Sequence, residues 1–143
     1  MGIILDTCVW IEVERGNLAL ADIAREAGIR PVFLVPPVLA ELEYGAHRAK
    51  TNIHRARRMD ALAQIRHTPC LSMDKTTAEI FGRLAAALDA SGKPAKHRVH
   101  DMWIAAVAIQ HQCAVMTLNT KDFEDIPGLR LIPVWVLGSN PNN

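Results

Sequence analysis

The sequence lacks paired cysteines, long apolar runs and any strong excess of charge, and each absence removes a class of protein. Its three cysteines, Cys8, Cys70 and Cys113, are widely spaced and form no CxxC pair. They argue against a disulfide framework and a structural zinc site, and favour a reducing compartment. No apolar run approaches the roughly 18–20 residues that span a bilayer. The chain starts directly in strand-like sequence, without a basic leader or a small-residue cleavage site. A formal net charge of +1 excludes a strong polyanion binder or an acidic tail protein. The expectation is a soluble cytoplasmic protein with no membrane partner. Repeats, low-complexity tracts and long linkers are also missing. Residues 1–143 therefore read as one domain, with residues 138–143 as a flexible tail.

What is present is a core: half of the 143 residues are apolar, enough for a proper interior. Residues 2–5 read as a strand buried on both faces. Residues 8–11 begin a helix that stops near Gly16. Asn17 is a suitable cap for a helix over 18–27, which Gly28 ends. A second strand follows at 31–35, and Pro36 and Pro37 suit the first turn of the next helix. A basic amphipathic helix spans 52–66. Asp74 caps a long helix with Phe81, Leu84, Ala85 and Leu88 on one stripe. The helix opened by Asp101 is apolar on almost every side, and strands are expected at 113–118 and 129–134. Strands alternating with helices imply an α/β fold with a parallel sheet.

Four carboxylates lie where an apolar strand gives way to a helix: Asp6, Glu41, Asp101 and Asp122. In a parallel sheet such junctions share one edge, where ligands bind. Singly, Asp6 and Asp101 are explained as helix caps, and Glu41 as a solvated position. Together they pose an electrostatic problem. Two like charges about 4 Å apart repel by ~4 kcal/mol at an effective dielectric near 20. A hard divalent cation, Mg²⁺ or Mn²⁺, would supply the counter-charge through oxygen ligands.

The segments Ile3-Ile4-Leu5-Asp6-Thr7, Glu41-Leu42-Glu43-Tyr44-Gly45, Asp101-Met102-Trp103-Ile104-Ala105-Ala106 and Thr117-Leu118-Asn119-Thr120-Lys121-Asp122-Phe123 carry a resemblance. In that order they resemble the successive motifs of PIN-domain ribonucleases, most closely the VapC toxins of VapBC toxin–antitoxin modules. The resemblance implies a three-layer α/β/α sandwich around a mainly parallel sheet of four or five strands. It implies Mg²⁺- or Mn²⁺-dependent cleavage of RNA to 5′-phosphate and 3′-hydroxyl ends, a cognate antitoxin that blocks the site, and a homodimer. Carried over by position, Asp6, Glu41 and Asp101 match the family's acids. Asp6, Asp101 and Asp122 are then metal ligands, and Glu41 is a ligand or the base that orients water. The family's fourth acid often stands where this chain has Asn119. Asp122 comes three residues later, so the choice between the two stays open.

Other residues have a plain and a functional explanation. Thr7 and Thr117 are strand-end residues or hydrogen-bond partners of a carboxylate. Arg98, His97, Arg55 and Arg58 are a solvated basic face or contacts for an RNA backbone. His97 and His100 beside Asp101 raise zinc, but no second His or Cys pair completes such a site. Trp10, Trp103 and Trp135 are core or dimer-interface residues rather than base-stacking platforms. The apolar segments 8–11 and 135–137 are the expected dimer contacts. Asp125 reads as a dispensable surface acid. Two alternatives to a toxin remain: a PIN nuclease of RNA processing, and a non-catalytic PIN-like binding module.

Overall fold

Ile3–Leu5 forms the first strand (β1), completely buried and too apolar to face water anywhere. The computed structural model describes residues 1–136, and the tail expected at 138–143 lies outside the described residues. Within them the chain forms four strands and six helices. After β1 come α1 (Thr7–Glu14), α2 (Leu20–Ala27) and β2 (Val32–Phe33). Then follow α3 (Pro36–His47), α4 (Asn52–Ile65), α5 (Lys75–Ala90) and α6 (Val99–Gln110). The chain closes with β3 (Ala114–Thr117) and β4 (Leu131–Pro133). Short 3₁₀ turns precede α6 at Ala95–His97 and follow β3 at Thr120–Asp122. No helix of the described residues is long and apolar enough to cross a membrane.

Several boundaries follow the sequence signals. Pro36 and Pro37 occupy the first turn of α3, where a missing N–H costs nothing. Asp74 caps α5 in a reciprocal box, accepting from the Thr77 N–H while the Thr77 hydroxyl bonds back to the Asp74 N–H. Gly28 ends α2 at φ +64°, a conformation a side chain would strain. Asn17 departs from expectation. Its amide donates to Glu12 at 2.7 Å, and α2 begins later, at Leu20, with no side-chain cap. The Glu12 carboxylate holds the Asn17 side chain against α1, so its amide oxygen is not placed to accept from the backbone N–H groups of α2. The expected strand at 31–35 pairs over only two residues, and Leu34 forms an isolated bridge with Cys70.

The sheet is all parallel, in the order β2-β1-β3-β4. Four parallel strands with six helices make the α/β sandwich expected. Connections from β1 run to one side, to β2, whereas the connection from β3 runs to the other, to β4. The order therefore reverses between β1 and β3. A crevice opens outside the strand C-termini at such a reversal. Leu5 pairs with Met116 in register, and the Asp6 N–H continues the ladder to the Met116 carbonyl at 2.9 Å. Asp6 and Thr117 thus leave the sheet side by side, facing that crevice.

α6 is buried over Met102 and Ile104–Ala108, as an all-apolar helix inside a sandwich must be. Trp103 stacks on Phe81 with ring centroids 4.1 Å apart, and Trp10 is buried, so both indoles serve this chain's own interior. Burial of Val9 and Trp10 leaves residues 8–11 little to offer a second copy; Trp135 is exposed, and Leu137 lies outside the described residues.

Candidate metal centre at the sheet edge

Asp6 is the first residue past β1 and the N-cap of α1, its Oδ1 accepting the Thr7 N–H at 2.8 Å. Its Oδ2 accepts the Thr117 hydroxyl at 2.9 Å, and Thr117 Oγ1 accepts the Asn119 N–H at 3.0 Å. This chain of donors fixes the carboxylate's orientation and helps to compensate its burial. Thr117 therefore does what its position suggested. Thr7 contributes its backbone N–H, while its buried hydroxyl has no partner among the described residues. The Cys8 thiol donates to Asp6 Oδ2 at 3.4 Å. Burial first, then the Asp6 charge, push its pKa up to about 11, so it stays protonated and is no nucleophile.

Asp101 is not the residue that opens α6. Arg98 stands at the N-cap with no side-chain cap, and Asp101 is the third helical residue. Capping therefore explains Asp6 but not Asp101. The Asp101 carboxyl is pushed up to about 6, by burial first, then by the charge of Asp6 and that of Asp122. His100 and Arg98 oppose the shift less strongly. Acids from the end of β1 and the turn after β3 thus both act on the acid in the first turn of α6. Asp122 reaches this point because Phe123, next to it, is fully buried and pins the turn to the core.

Glu41 is turned elsewhere. Its Oε2 lies 2.6 Å from His100 Nε2, a close contact that is not aligned as a hydrogen bond. The pair ties α3 to the first turn of α6, beside Asp101. His100, raised in the sequence only as a zinc ligand, is thus a neighbour of Glu41.

The arginines expected to meet RNA are engaged within the chain. Arg58 donates to the Gly45 carbonyl at 2.7 Å and Arg55 to the Ala49 carbonyl at 3.1 Å. Both satisfy carbonyls at or just past the end of α3, which a helix leaves without partners. Arg98 donates to both carboxylate oxygens of Asp125 at 2.7 and 2.6 Å, and to the Asp122 carbonyl at 2.6 Å. Asp125 is therefore no free surface acid; Arg98, by hydrogen bond and charge, holds its carboxyl below the usual range. His97 stays exposed on the rim of a cleft of about 420 Å³ that also contains Asp101, Asp122 and Lys121. Sequence reasoning missed the Arg98–Asp125 pair, although a signal was there. Arg98 precedes Asp101 by three residues, and Asp125 follows Asp122 by three.

The donor set suits a hard cation. Its three acids offer only oxygen, and Asp101 stays ionised at neutral pH against a steep local cost that a positive ion would relieve. Among the described residues no three His, Cys, Asp or Glu side chains stand as a ready-made ligand set. Binding therefore requires the carboxylates to rotate inward. At the fourth corner the sequence left two candidates. Asp122 carries charge and acts on Asp101, whereas Asn119 contributes its backbone N–H to Thr117. Asp122→Asn is expected to weaken Mn²⁺ binding and cleavage by roughly 10-fold or more, and Asn119→Ala by only a few-fold, because an amide cannot offset a cation's charge. Calorimetric titration of both variants checks this; the opposite ranking would put the amide at this corner.

A family model described as the PIN domain matches residues 3–129. The chain is 31% identical over 136 residues to a ribonuclease VapC1 of Rickettsia felis, covering 94% of this chain and 97% of the relative. It is 30% identical to a ribonuclease VapC5 of Mycobacterium tuberculosis, covering 92% of each. Among solved structures, VapBC-5 of M. tuberculosis, from the VapBC family of toxin–antitoxin systems, superposes with a TM-score of 0.74 at 30% identity. That match covers 94% of this chain and 100% of the other. VapBC2 of R. felis, bound to a fragment of promoter DNA, gives a TM-score of 0.82 at 22% identity, a likeness of fold. It covers 94% of this chain and 100% of the other.

Proposed function

The chain belongs to the PIN-domain family, and from that premise we propose that it is a metal-dependent endoribonuclease, the toxin of a type II toxin–antitoxin pair. The observation that carries this reading is the closeness of Asp6 and Asp122 to Asp101 at the crevice between β1 and β3, where their charges add to burial in raising the cost of the Asp101 charge. Relatives named as ribonucleases along almost their whole length support the reaction class.

On this reading Asp6, Asp101 and Asp122 would hold one or two Mg²⁺ or Mn²⁺ ions. Such an ion, when bound, would supply a lowered pKa for water and a counter-charge for the phosphate during in-line displacement. The chain's own groups prepare the site. Thr117 and the Thr7 N–H orient the Asp6 carboxylate. Glu41, half-exposed against His100, would have to turn from that contact toward Asp101 to orient the attacking water and accept its proton. His97 and Lys121, exposed on the cleft beside these acids, are the cations placed to meet the RNA backbone. The other partners are a cognate antitoxin and a second copy of this chain. An arginine on the antitoxin would pair with the same carboxylates and displace the metal.

The test uses purified protein without antitoxin, its dimer checked by sedimentation. Cleavage of cellular RNA is expected with Mg²⁺ or Mn²⁺, with 5′-phosphate ends on mapping. It should stop in excess EDTA and on addition of the antitoxin. Undiminished cleavage in chelator, by a preparation free of contaminating nuclease, would sink the metal-dependent reading. Failure of any candidate antitoxin to inhibit would favour an RNA-processing nuclease.

A further inference from the structure

We infer that Arg98 and Asp125 are a pair of positioning residues, a clamp that presents Asp122 to Asp101 across the cleft. The inference rests on the proposed metal site and adds residues to it that touch neither metal nor RNA.

The geometry is that of a built junction. Arg98 stands at the N-cap of α6, three residues before Asp101. Its guanidinium makes a bidentate contact with Asp125, 2.7 and 2.6 Å, and a third bond of 2.6 Å to the Asp122 backbone carbonyl. A planar fork can satisfy both groups at once; an ammonium point charge cannot hold the same three-way geometry. Both side chains are mostly sheltered, at 19% and 17% exposed. The turn carrying Asp122 is thereby fixed at two levels. Below, Phe123 and Ile126 are buried in the core. Above, Arg98 grips the carbonyl of Asp122 and the side chain three residues on.

That grip solves a problem of placement. Asp122 itself is exposed, on a 3₁₀ turn of three residues, and electrostatic repulsion from Asp101 pushes the two acids apart. A positive group lodged between the two segments opposes that repulsion, and Asp101 and Asp122 both act on Arg98. Lys93 also reaches Asp125, at 3.6 Å, but from a largely exposed position, so it adds charge without geometry.

Mn²⁺ titration calorimetry on wild type, Arg98→Lys, Asp125→Asn, their double variant, Lys93→Ala and Asp101→Asn tests the clamp. Removing an outer partner of a metal ligand typically costs 10–100-fold in affinity. Arg98→Lys and Asp125→Asn should each weaken Mn²⁺ binding about 10-fold, and the double variant no more than either alone, because both remove one contact. Lys93→Ala should bind as wild type. Saturating Mn²⁺ should return cleavage in the clamp variants to within a few-fold, but not in Asp101→Asn. Circular dichroism confirms folding, and if Asp125→Asn does not fold, Arg98→Lys carries the test. Wild-type affinity in folded Arg98→Lys, or an equal loss in Lys93→Ala, would overturn the clamp. Undiminished Mn²⁺ binding in Asp101→Asn would instead overturn the metal site on which it rests.

Discussion

Asp101→Asn is expected to lower RNA cleavage by at least about 100-fold, since loss of a ligand should exceed the 10–100-fold typical for its outer partners. The same change should make the metal-free protein more stable. In the folded chain the Asp101 carboxyl is pushed from its ordinary 3.8 up to about 6, by burial first and then by Asp6 and Asp122. The metal-free native state therefore holds this proton more tightly than the unfolded chain does. Stability from this group is highest below pH 4, falls as pH rises to about 6, and stays low above it. Asparagine keeps the shape without the charge, a gain of about 1–2 kcal/mol at pH 7 once partial exposure is allowed for. Urea denaturation with EDTA, at pH 7 and pH 4.5, measures it. A variant less stable than wild type at pH 7, or a gain as large at pH 4.5, would contradict the electrostatic account.

Phe123→Ala should be the most damaging single substitution near the site. Phe123 heads the fully buried side chains by volume, and truncating such a ring costs about 3–5 kcal/mol. In a chain of 143 residues that corresponds to a midpoint lowered by about 10 °C. The damage should be functional as well, because Asp122 is its neighbour and loses its lower anchor. Phe123→Leu, which refills most of the space, should recover most of the stability. Thermal unfolding with EDTA, followed by Mn²⁺ titration of whatever remains folded, reads both effects. A midpoint within 2–3 °C of wild type, less than about 1 kcal/mol, would mean that the turn is not held from below.

Much of the frame was legible because its signals are local. The apolar run before Asp6, the prolines of α3 and the Asp74–Thr77 box each act within a few residues, and each element formed close to where they indicate. The parallel sheet followed from alternation, and the gathering of Asp6, Asp101 and Asp122 from the shared edge of its strands. What was not legible depends on competition or distance. Asn17 could accept from the N–H groups of a following helix or donate to Glu12, and it donates to Glu12. Asp101 shifted from the cap to the first turn because the chain before it wound into a 3₁₀ turn, bringing Arg98 to the cap. Arg98 and Asp125 are 27 residues apart, and their equal offsets from Asp101 and Asp122 become a signal only once those two acids are known to meet. The engagement of Arg55 and Arg58 by carbonyls of the α3 region could not be seen without the angle between α3 and α4.

The bond between Asp6 and Thr117 joins residues 111 apart in sequence, and it bears on when the protein becomes dangerous to its maker. A ribosome adding about 5–20 residues per second needs roughly 6–20 s to travel from one to the other. Throughout that interval the first strand has emerged without the neighbour that orients its carboxylate. The nascent chain is therefore harmless for nearly the whole of its synthesis, and the site closes only as the last strands leave the exit tunnel. An antitoxin present during that interval meets a chain whose site has not yet formed.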